Sequence, residues 1–313
     1  KFSVILVDDG SKDGTANQAQ VVAEALSKTR SLLVVDGTPP PKGWVGKVWA
    51  MEQGRQQVDS FAPEAHFLFF TDADIAHAST CLKSLVEKAE DEALDLVSLM
   101  VRLRVETFWE RLLLPAFVFF FQMLYPFQWV NDPQKLTAAA AGGWMLVRRA
   151  SVQKIGGLVA IQDELIDDCA LARQIKTEGP IWLGLTENTR SLRAYKGLRG
   201  VWDMVARTAY TELCYSRLQL MGALIGMTIT YLIPPILVLS YGAHESGISL
   251  AFGLAAWALM IASYQPSLRL YAANWWAAPF LPFVALLYCA MTFDSAWRYW
   301  RKVGGSWKGR THS

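Results

Sequence analysis

The chain is poor in the residues that build covalent or metal frameworks. Four cysteines (Cys81, Cys169, Cys214, Cys289) are scattered over 313 residues without a CxxC pair, so neither a disulfide scaffold nor a cysteine zinc site is expected. Four histidines (His66, His77, His244, His312) form no HExxH pattern and no ligand cluster. Charge of one sign is lacking too. Thirty Lys+Arg against 28 Asp+Glu leave a net +2, too near balance for recognition of nucleic acid by bulk charge, and no nucleic-acid partner is expected. Disorder is excluded, because 52% of residues are hydrophobic, only 19% are charged and the mean hydropathy is +0.20. No signal-peptide pattern opens the chain. Lys1 to Val7 already reads as an apolar strand entering a turn, so we expect a further segment ahead of Lys1.

What is present divides the chain in two. Up to about Arg207 the charges are interspersed and apolar runs are short; from Leu218 onward the apolar runs lengthen. The reading is a soluble-type domain over 1–210 and a transmembrane helical region with a basic tail over 211–313. Leu218–Tyr241 carries no charge over 24 residues, about 36 Å as a helix, enough for a ~30 Å hydrocarbon core. Pro234-Pro235 is expected to kink it. Ile248–Tyr264 and Ala277–Phe293 are charge-free over 17 residues each, at the short end of the spanning range; the plainer reading is a buried helical hairpin. Among 13 tryptophans, Trp275, Trp276, Trp297, Trp300 and Trp307 crowd the carboxyl end, as in a membrane-interface belt. Leu112–Val130 is also apolar but is interrupted by Pro115, Gln122 and Pro126. Crossing there would put two halves of one domain on opposite sides of the bilayer, so we read residues 112–130 as an interfacial insert, against the alternative of a core helix.

The first part alternates strands and helices. Strands are expected at Phe2–Val7, Ser31–Val35, His66–Thr71, Asp95–Arg102 and Gly143–Arg148, with helices at Gly14–Ser27, Lys47–Val58, Ser79–Ala93 and Asp168–Glu178. Such alternation implies an α/β fold with a mainly parallel sheet, whose ligands sit outside the carboxyl ends of the strands.

Acidic residues stand at those ends. Asp8 and Asp9 close the first strand before Gly-Ser-Lys-Asp-Gly-Thr. A carboxylate there can accept hydrogen bonds from a base or ribose, or simply serve a turn and helix cap, as Ser11, Asp13 and Thr15 also can. Asp72 and Asp74 flank Ala73 after the apolar Phe67–Phe70; two carboxylates so spaced can hold one divalent cation and leave positions for diphosphate oxygens. Asp163, Glu164, Asp167 and Asp168 crowd before a helix. Mutual repulsion raises some of their pKa values and makes one a candidate general base, whereas the plainer role is an acidic first turn on the helix dipole. Arg190, Arg193, Lys196, Arg199 and Arg207 precede the first apolar run. They can close over a diphosphate or bind anionic headgroups; Arg207 is assigned to the phosphate.

In order, VDDGSKDGT, GWVGKVWAMEQG, FTDADI, GGWMLVRR and IDDCALARQI resemble an inverting family-2 glycosyltransferase of GT-A (Rossmann-like) fold over residues 1 to about 210. The apolar carboxyl part and its closing SWKGR resemble the membrane-bound, lipid-glycosylating, ceramide glucosyltransferase-like branch, most of all bacterial hopanoid-biosynthesis-associated glycosyltransferases. The resemblance implies contacts from Asp8 and Asp9 to the nucleotide, from Lys47 to its phosphates, and from Asp72 and Asp74 to the sugar diphosphate and its Mg²⁺ or Mn²⁺. It makes Asp168 the base, with Asp167 where relatives carry glutamate, and implies a nucleotide-sugar donor such as a UDP-sugar and a membrane lipid acceptor. Two departures stand out. The QxxRW motif reads Met204-Val205-Ala206-Arg207-Thr208, and the usual opening strand is absent. A polyisoprenyl-phosphate acceptor and a non-catalytic membrane scaffold are the competing readings.

Nucleotide sugars are made in the cytoplasm, so the catalytic part is expected on the cytoplasmic face of a bacterial inner membrane in a multi-pass protein. The tail with Arg298, Arg301, Lys302, Lys308 and Arg310 belongs there too by the positive-inside rule. Three spans cannot satisfy both. Either one run is re-entrant, with Leu218–Tyr241 as one candidate, or the catalytic domain holds the tail in some other way.

Overall fold

Short runs of β-branched and aromatic residues form the strands, and polar residues returning at helical spacing mark the helices between them. In chain order the elements are β1 (Val4–Asp8), α1 (Thr15–Ala25), β2 (Leu32–Asp36), α2 (Gly46–Gln56), α3 (Val58–Phe61), β3 (Phe67–Phe70), β4 (Ile75–His77), α4 (Cys81–Asp91) and β5 (Leu96–Arg102). Then come α5 (Phe108–Leu124), α6 (Phe127–Asn131), β6 (Met145–Arg148), α7 (Arg149–Lys154), α8 (Asp167–Lys176) and β7 (Ile181–Ser191). The last are α9 (Gly197–Glu212), α10 (Arg217–Met227), α11 (Ile233–Leu239), α12 (Tyr241–His244), α13 (Gly247–Leu270), α14 (Leu281–Trp300), β8 (Ser306–Trp307) and β9 (Arg310–Thr311). The computed structural model describes residues 2–302, 306–307 and 310–311; Lys308 of the basic tail lies outside them.

The chain forms two compact units, the first from Lys1–Ala73, His77–Met100 and Phe127–Leu185, the second from Asp74–Ala76, Val101–Pro126 and Thr186–Ser313. In the first, β1 and β2 pair in parallel from Val4–Leu32 to Asp8–Asp36. The chain also has a five-stranded sheet of order β3-β6-β5-β7-β4, of which β3, β6 and most of β5 lie in this unit. The sheet is mixed, which corrects the expected mainly parallel arrangement: β6 runs antiparallel to both β3 and β5. The cause is the route of the chain. Met145, at the start of β6, pairs with Ser98, and Val147 pairs back at Leu96, so the chain returns toward the end of β5 it left and must run the other way. Leu96, Val97, Leu99, Met145, Leu146 and Val147 are buried, as central strands covered on both faces require.

In the second unit, α5 opens with a capping box between Thr107 and Glu110. Pro115 does not interrupt it, and the helix runs unbroken to Leu124. One face of α5 (Leu113, Leu114, Ala116) joins a core with Val201 of α9 and Val284 and Ala285 of α14, while Phe108, Met123 and Leu124 stay exposed. The expected proline kink is also placed differently. Pro234-Pro235 occupies the first turn of α11, where a missing N–H is least costly, and the irregularity is a π-helical turn at Thr228–Leu232 just before it. Three helical stretches, Arg217–Leu239, Gly247–Leu270 and Trp275–Trp300, are long and apolar enough to cross a membrane.

Candidate active site

The first unit brings four sequence-distant segments onto one cation. Lys47 is the second residue of α2, and its Nζ lies 3.0 Å from Asp167 Oδ2 and 3.4 Å from Asp72 Oδ1. Burial works against its charge, but Asp167, then Asp72 and Asp168, outweigh it and hold Lys47 well above the usual lysine range. Lys47 is therefore a fixed positive charge at working pH.

Asp167 and Asp168 open α8. Asp168 accepts hydrogen bonds from the Gly142 N–H at Oδ2 and the Cys169 N–H at Oδ1, both at 2.8 Å. Those bonds and Lys47 favour the carboxylate, yet burial, followed by the adjacent Asp167 charge, pushes its pKa up to about 6. A carboxylate so placed is a stronger base than a solvated one and is still ionised near neutrality. Asp163 is exposed, and Glu164 sits 3.8 Å from Arg173. Of the four clustered acids, Asp167 pairs directly with the lysine and Asp168 acts on it through its charge.

The turn carrying Gly142 has its own support, which sequence reasoning missed. Ser98, fully buried on β5, accepts from the Ala141 N–H at 2.9 Å and donates to the Trp144 carbonyl at 2.8 Å. A Cβ at Gly142 would stand 2.8 Å from Lys47 Nζ and 3.3 Å from Asp168 Oδ2, so glycine is what lets lysine and base converge. The Thr71 hydroxyl donates to the Gly143 carbonyl at 2.9 Å, tying the residue before Asp72 to the same turn. The sequence signals were a serine inside an apolar strand and a Gly-Gly pair before Trp144. Neither announces a tertiary contact.

Asp8 and Asp9 stand at the end of β1, and one Asp8 carboxylate oxygen accepts the Ser11 N–H at 2.7 Å. Asp13 serves the turn, accepting from the Thr15 N–H and hydroxyl. Asp74 and Arg207 fall in the second unit, where the Asp74 carbonyl accepts from the Leu192 N–H at 2.7 Å and Arg207 lies on α9. Among the described residues no group of three or more His, Cys, Asp or Glu gathers as a metal cage. The side chain of Asp72 keeps 43% of its surface exposed. A hard divalent cation of the Mg²⁺ kind needs only one or two carboxylates, completed by substrate phosphates and water, and Asp72 offers one such carboxylate.

The family model described as Glycosyl transferase family 2 matches residues 1–156. The match takes in Lys47, Asp72 and Gly142 and supports a family-2 glycosyltransferase: an α/β domain with a mixed sheet, followed by helices apolar enough to span a membrane. Glycosyltransferases of that class take a nucleotide-sugar donor and an acceptor. No curated protein matches the chain.

Proposed function

We propose that this protein transfers one sugar, with inversion, from a nucleotide-sugar donor such as a UDP-sugar to the hydroxyl of a membrane lipid of hopanoid or related type. The observation that carries this reading is Asp168: a carboxyl with its pKa near 6, oriented by the Gly142 N–H, beside a permanently charged Lys47. Asp168 takes the acceptor's proton, and the acceptor oxygen attacks the anomeric carbon. The bond from that carbon to the diphosphate breaks, and its electron pair leaves with the nucleoside diphosphate. One displacement needs one base, so no second carboxylate nucleophile is required.

In this scheme Lys47 and Arg207 are assigned to the donor phosphates, and Asp8 and Asp9 to the base and ribose. Asp72 and Asp74 would hold Mg²⁺ or Mn²⁺, which when bound offsets charge on the leaving diphosphate. The exposed apolar residues of α10, α13 and α14, among them Leu218, Phe252 and Phe283, favour a multi-pass protein of the bacterial inner membrane. The catalytic unit then faces the cytoplasm, the compartment of its donor.

The test uses detergent-solubilised full-length protein with a panel of radiolabelled nucleotide sugars and membrane lipid extract, with Mg²⁺ or EDTA. Metal-dependent label in a lipid fraction, lost in Asp168→Asn, is the expected result. Label only in a polyisoprenyl phosphate, insensitive to Asp168→Asn, would replace the hydroxyl acceptor, since an ionised phosphate needs no base. Nucleotide binding without transfer from any donor would reduce the protein to a scaffold.

A further inference from the structure

We infer that the third apolar stretch, Trp275–Trp300, does not cross the membrane but forms a re-entrant hairpin that enters and leaves on the side where α10 begins. This rests on the membrane reading above and is independent of the reaction. Its length and composition alone would make it a span; its contacts within the second unit give it a different path.

The first two stretches fix the sides. A Cβ at Gly253 of α13 would lie 3.0 Å from the Pro234 carbonyl and 3.1–3.2 Å from the side chains of Val238 and Leu237. The end of α11 therefore lies beside the start of α13, the two joined by the short α12. Helices so paired run in opposite directions, so the end of α13 at Leu270 returns to the level of Arg217, where α10 starts. These are the two crossings.

The chain then turns back along α13. Gln265 Nε2 donates to the Trp275 carbonyl at 3.4 Å, and Trp257 Nε1 donates to the Pro279 carbonyl at 3.2 Å. At 1.5 Å per residue, Gln265 lies about 8 Å and Trp257 about 20 Å from the end of α13. The 3-10 turn Trp275–Phe280 thus climbs to well inside a ~30 Å core and stops short of its far side.

From there α14 descends. Its Ala296 packs with Leu220 and Tyr210, near the start of α10 and the end of α9. Tyr215 stacks on Tyr299 at 4.5 Å between ring centroids, and the Arg217 guanidinium sits 5.6 Å from the Trp300 ring. Polar contacts hold the same level: Trp202 Nε1 donates to Asp294 Oδ2 at 2.7 Å, the Tyr210 N–H donates to Ser295 Oγ at 3.0 Å, and Arg298 donates to Asp203 at 2.8 Å. For α14 to end on the far side, α9 would have to follow it there, although α9 precedes the first crossing. The hairpin removes the conflict between three apolar runs and a basic tail. Arg298, Arg301 and Lys302 end up on the side of Arg217 and Arg269, as the positive-inside rule asks.

The test is side-specific labelling of the full chain in cells. On a background with the four native cysteines changed to serine, Gly242→Cys, Asn274→Cys and Arg301→Cys are each probed with a membrane-impermeant maleimide before and after the cells are opened. Gly242→Cys is expected to label from outside, and Asn274→Cys and Arg301→Cys only after opening. Both of the latter labelling from outside, with Gly242→Cys inside, would keep the hairpin and refute the cytoplasmic reading. Arg301→Cys labelling together with Gly242→Cys, opposite to Asn274→Cys, would overturn the hairpin. Should the serine background fail to fold, a carboxyl-terminal epitope on the wild-type chain gives the same readout by protease. Read beside a second epitope placed singly at Gly242, a tail epitope on the opposite side supports the hairpin, and both epitopes on one side overturn it. Release of the wild-type protein by alkaline carbonate would instead overturn the membrane reading, and the hairpin with it.

Discussion

Replacing Gly142 with alanine separates the geometry of the site from the stability of the fold. Gly142 is absent from the glycines with positive φ, so alanine fits its backbone, and the whole conflict lies with the added methyl. That methyl would sit 2.8 Å from Lys47 Nζ, where ordinary contact begins at 3.4 Å. The ammonium must therefore retreat by about 0.6 Å, and Asp168 Oδ2 at 3.3 Å must give slightly. A lysine tip yields easily, which places the folding cost at the low end for overpacking, about 1 kcal/mol, or a Tm change of about 2–4 °C. Catalysis depends more sharply on position. A displacement of about 1 Å can cost about 100-fold, so a loss of kcat/KM of about 10- to 100-fold is expected here. Its pH dependence supplies a second readout. Lys47 lowers the Asp168 pKa, so its retreat raises that pKa, and the acid limb of kcat/KM should move to higher pH. The assay is steady-state transfer from pH 5 to 8 beside a thermal melt. Activity within about threefold of wild type with an unmoved acid limb would refute the reasoning; so would a loss explained by collapse of the Tm.

In the wild type, kcat/KM should fall as pH drops through about 6, because Asp168 is then protonated and cannot take the acceptor proton; Asp168→Asn should cost about 10²–10⁴-fold at pH 7.5, checked by single-turnover transfer. Asp167→Asn removes a charge that raises the Asp168 pKa, so a pH–rate profile should show its acid limb displaced to lower pH. Ser98→Ala leaves the buried Ala141 N–H without its acceptor and should destabilise by about 1–3 kcal/mol in denaturant titration, with activity lost through the Gly142 turn.

The strands were most legible where burial makes a sequence speak. Val4–Asp8, Phe67–Phe70 and Leu96–Arg102 are apolar runs bounded by turn residues, and Asp72 could be placed at a strand end on that pattern alone. The long strand Ile181–Ser191 was not legible, because its second half, Thr-Glu-Asn-Thr-Arg-Ser, has the composition of a loop. It is a strand because neighbouring backbone pairs with it, and composition does not record that. The reversed β6 was hidden likewise, since direction within a sheet follows from the route of the chain and not from the apolarity of Met-Leu-Val-Arg. At the site, residue type pointed to Asp72 and to the acidic cluster that holds Asp168, and the family resemblance added Lys47 and singled out Asp168. Gly142 and Ser98 matter only through approach distances that arise after folding.

The apolar carboxyl part shows where composition misleads. Hydropathy measures how well a segment tolerates lipid and carries no sign of direction, so Trp275–Trp300 scores like the two helices before it. Its reversal is nevertheless written in the residues, in Ala-Ala-Pro-Phe-Leu-Pro-Phe at 277–283. Pro279 lies in the 3-10 turn and Pro282 in the first turn of α14, and a proline withholds an N–H at no cost only where a helix begins. A single helix crossing from Trp275 to Trp300 would put both prolines in its interior and lose a backbone bond at each, in lipid, where an unsatisfied carbonyl has no water to turn to. In the observed path Pro282 costs no bond at the start of α14, while Pro279 stays inside the 3-10 turn. Pro266 inside α13 shows that one interior proline does not by itself bar a crossing, so Pro282 fits the start of a descending helix and the contacts of Trp257, Gln265 and Ala296 set the path.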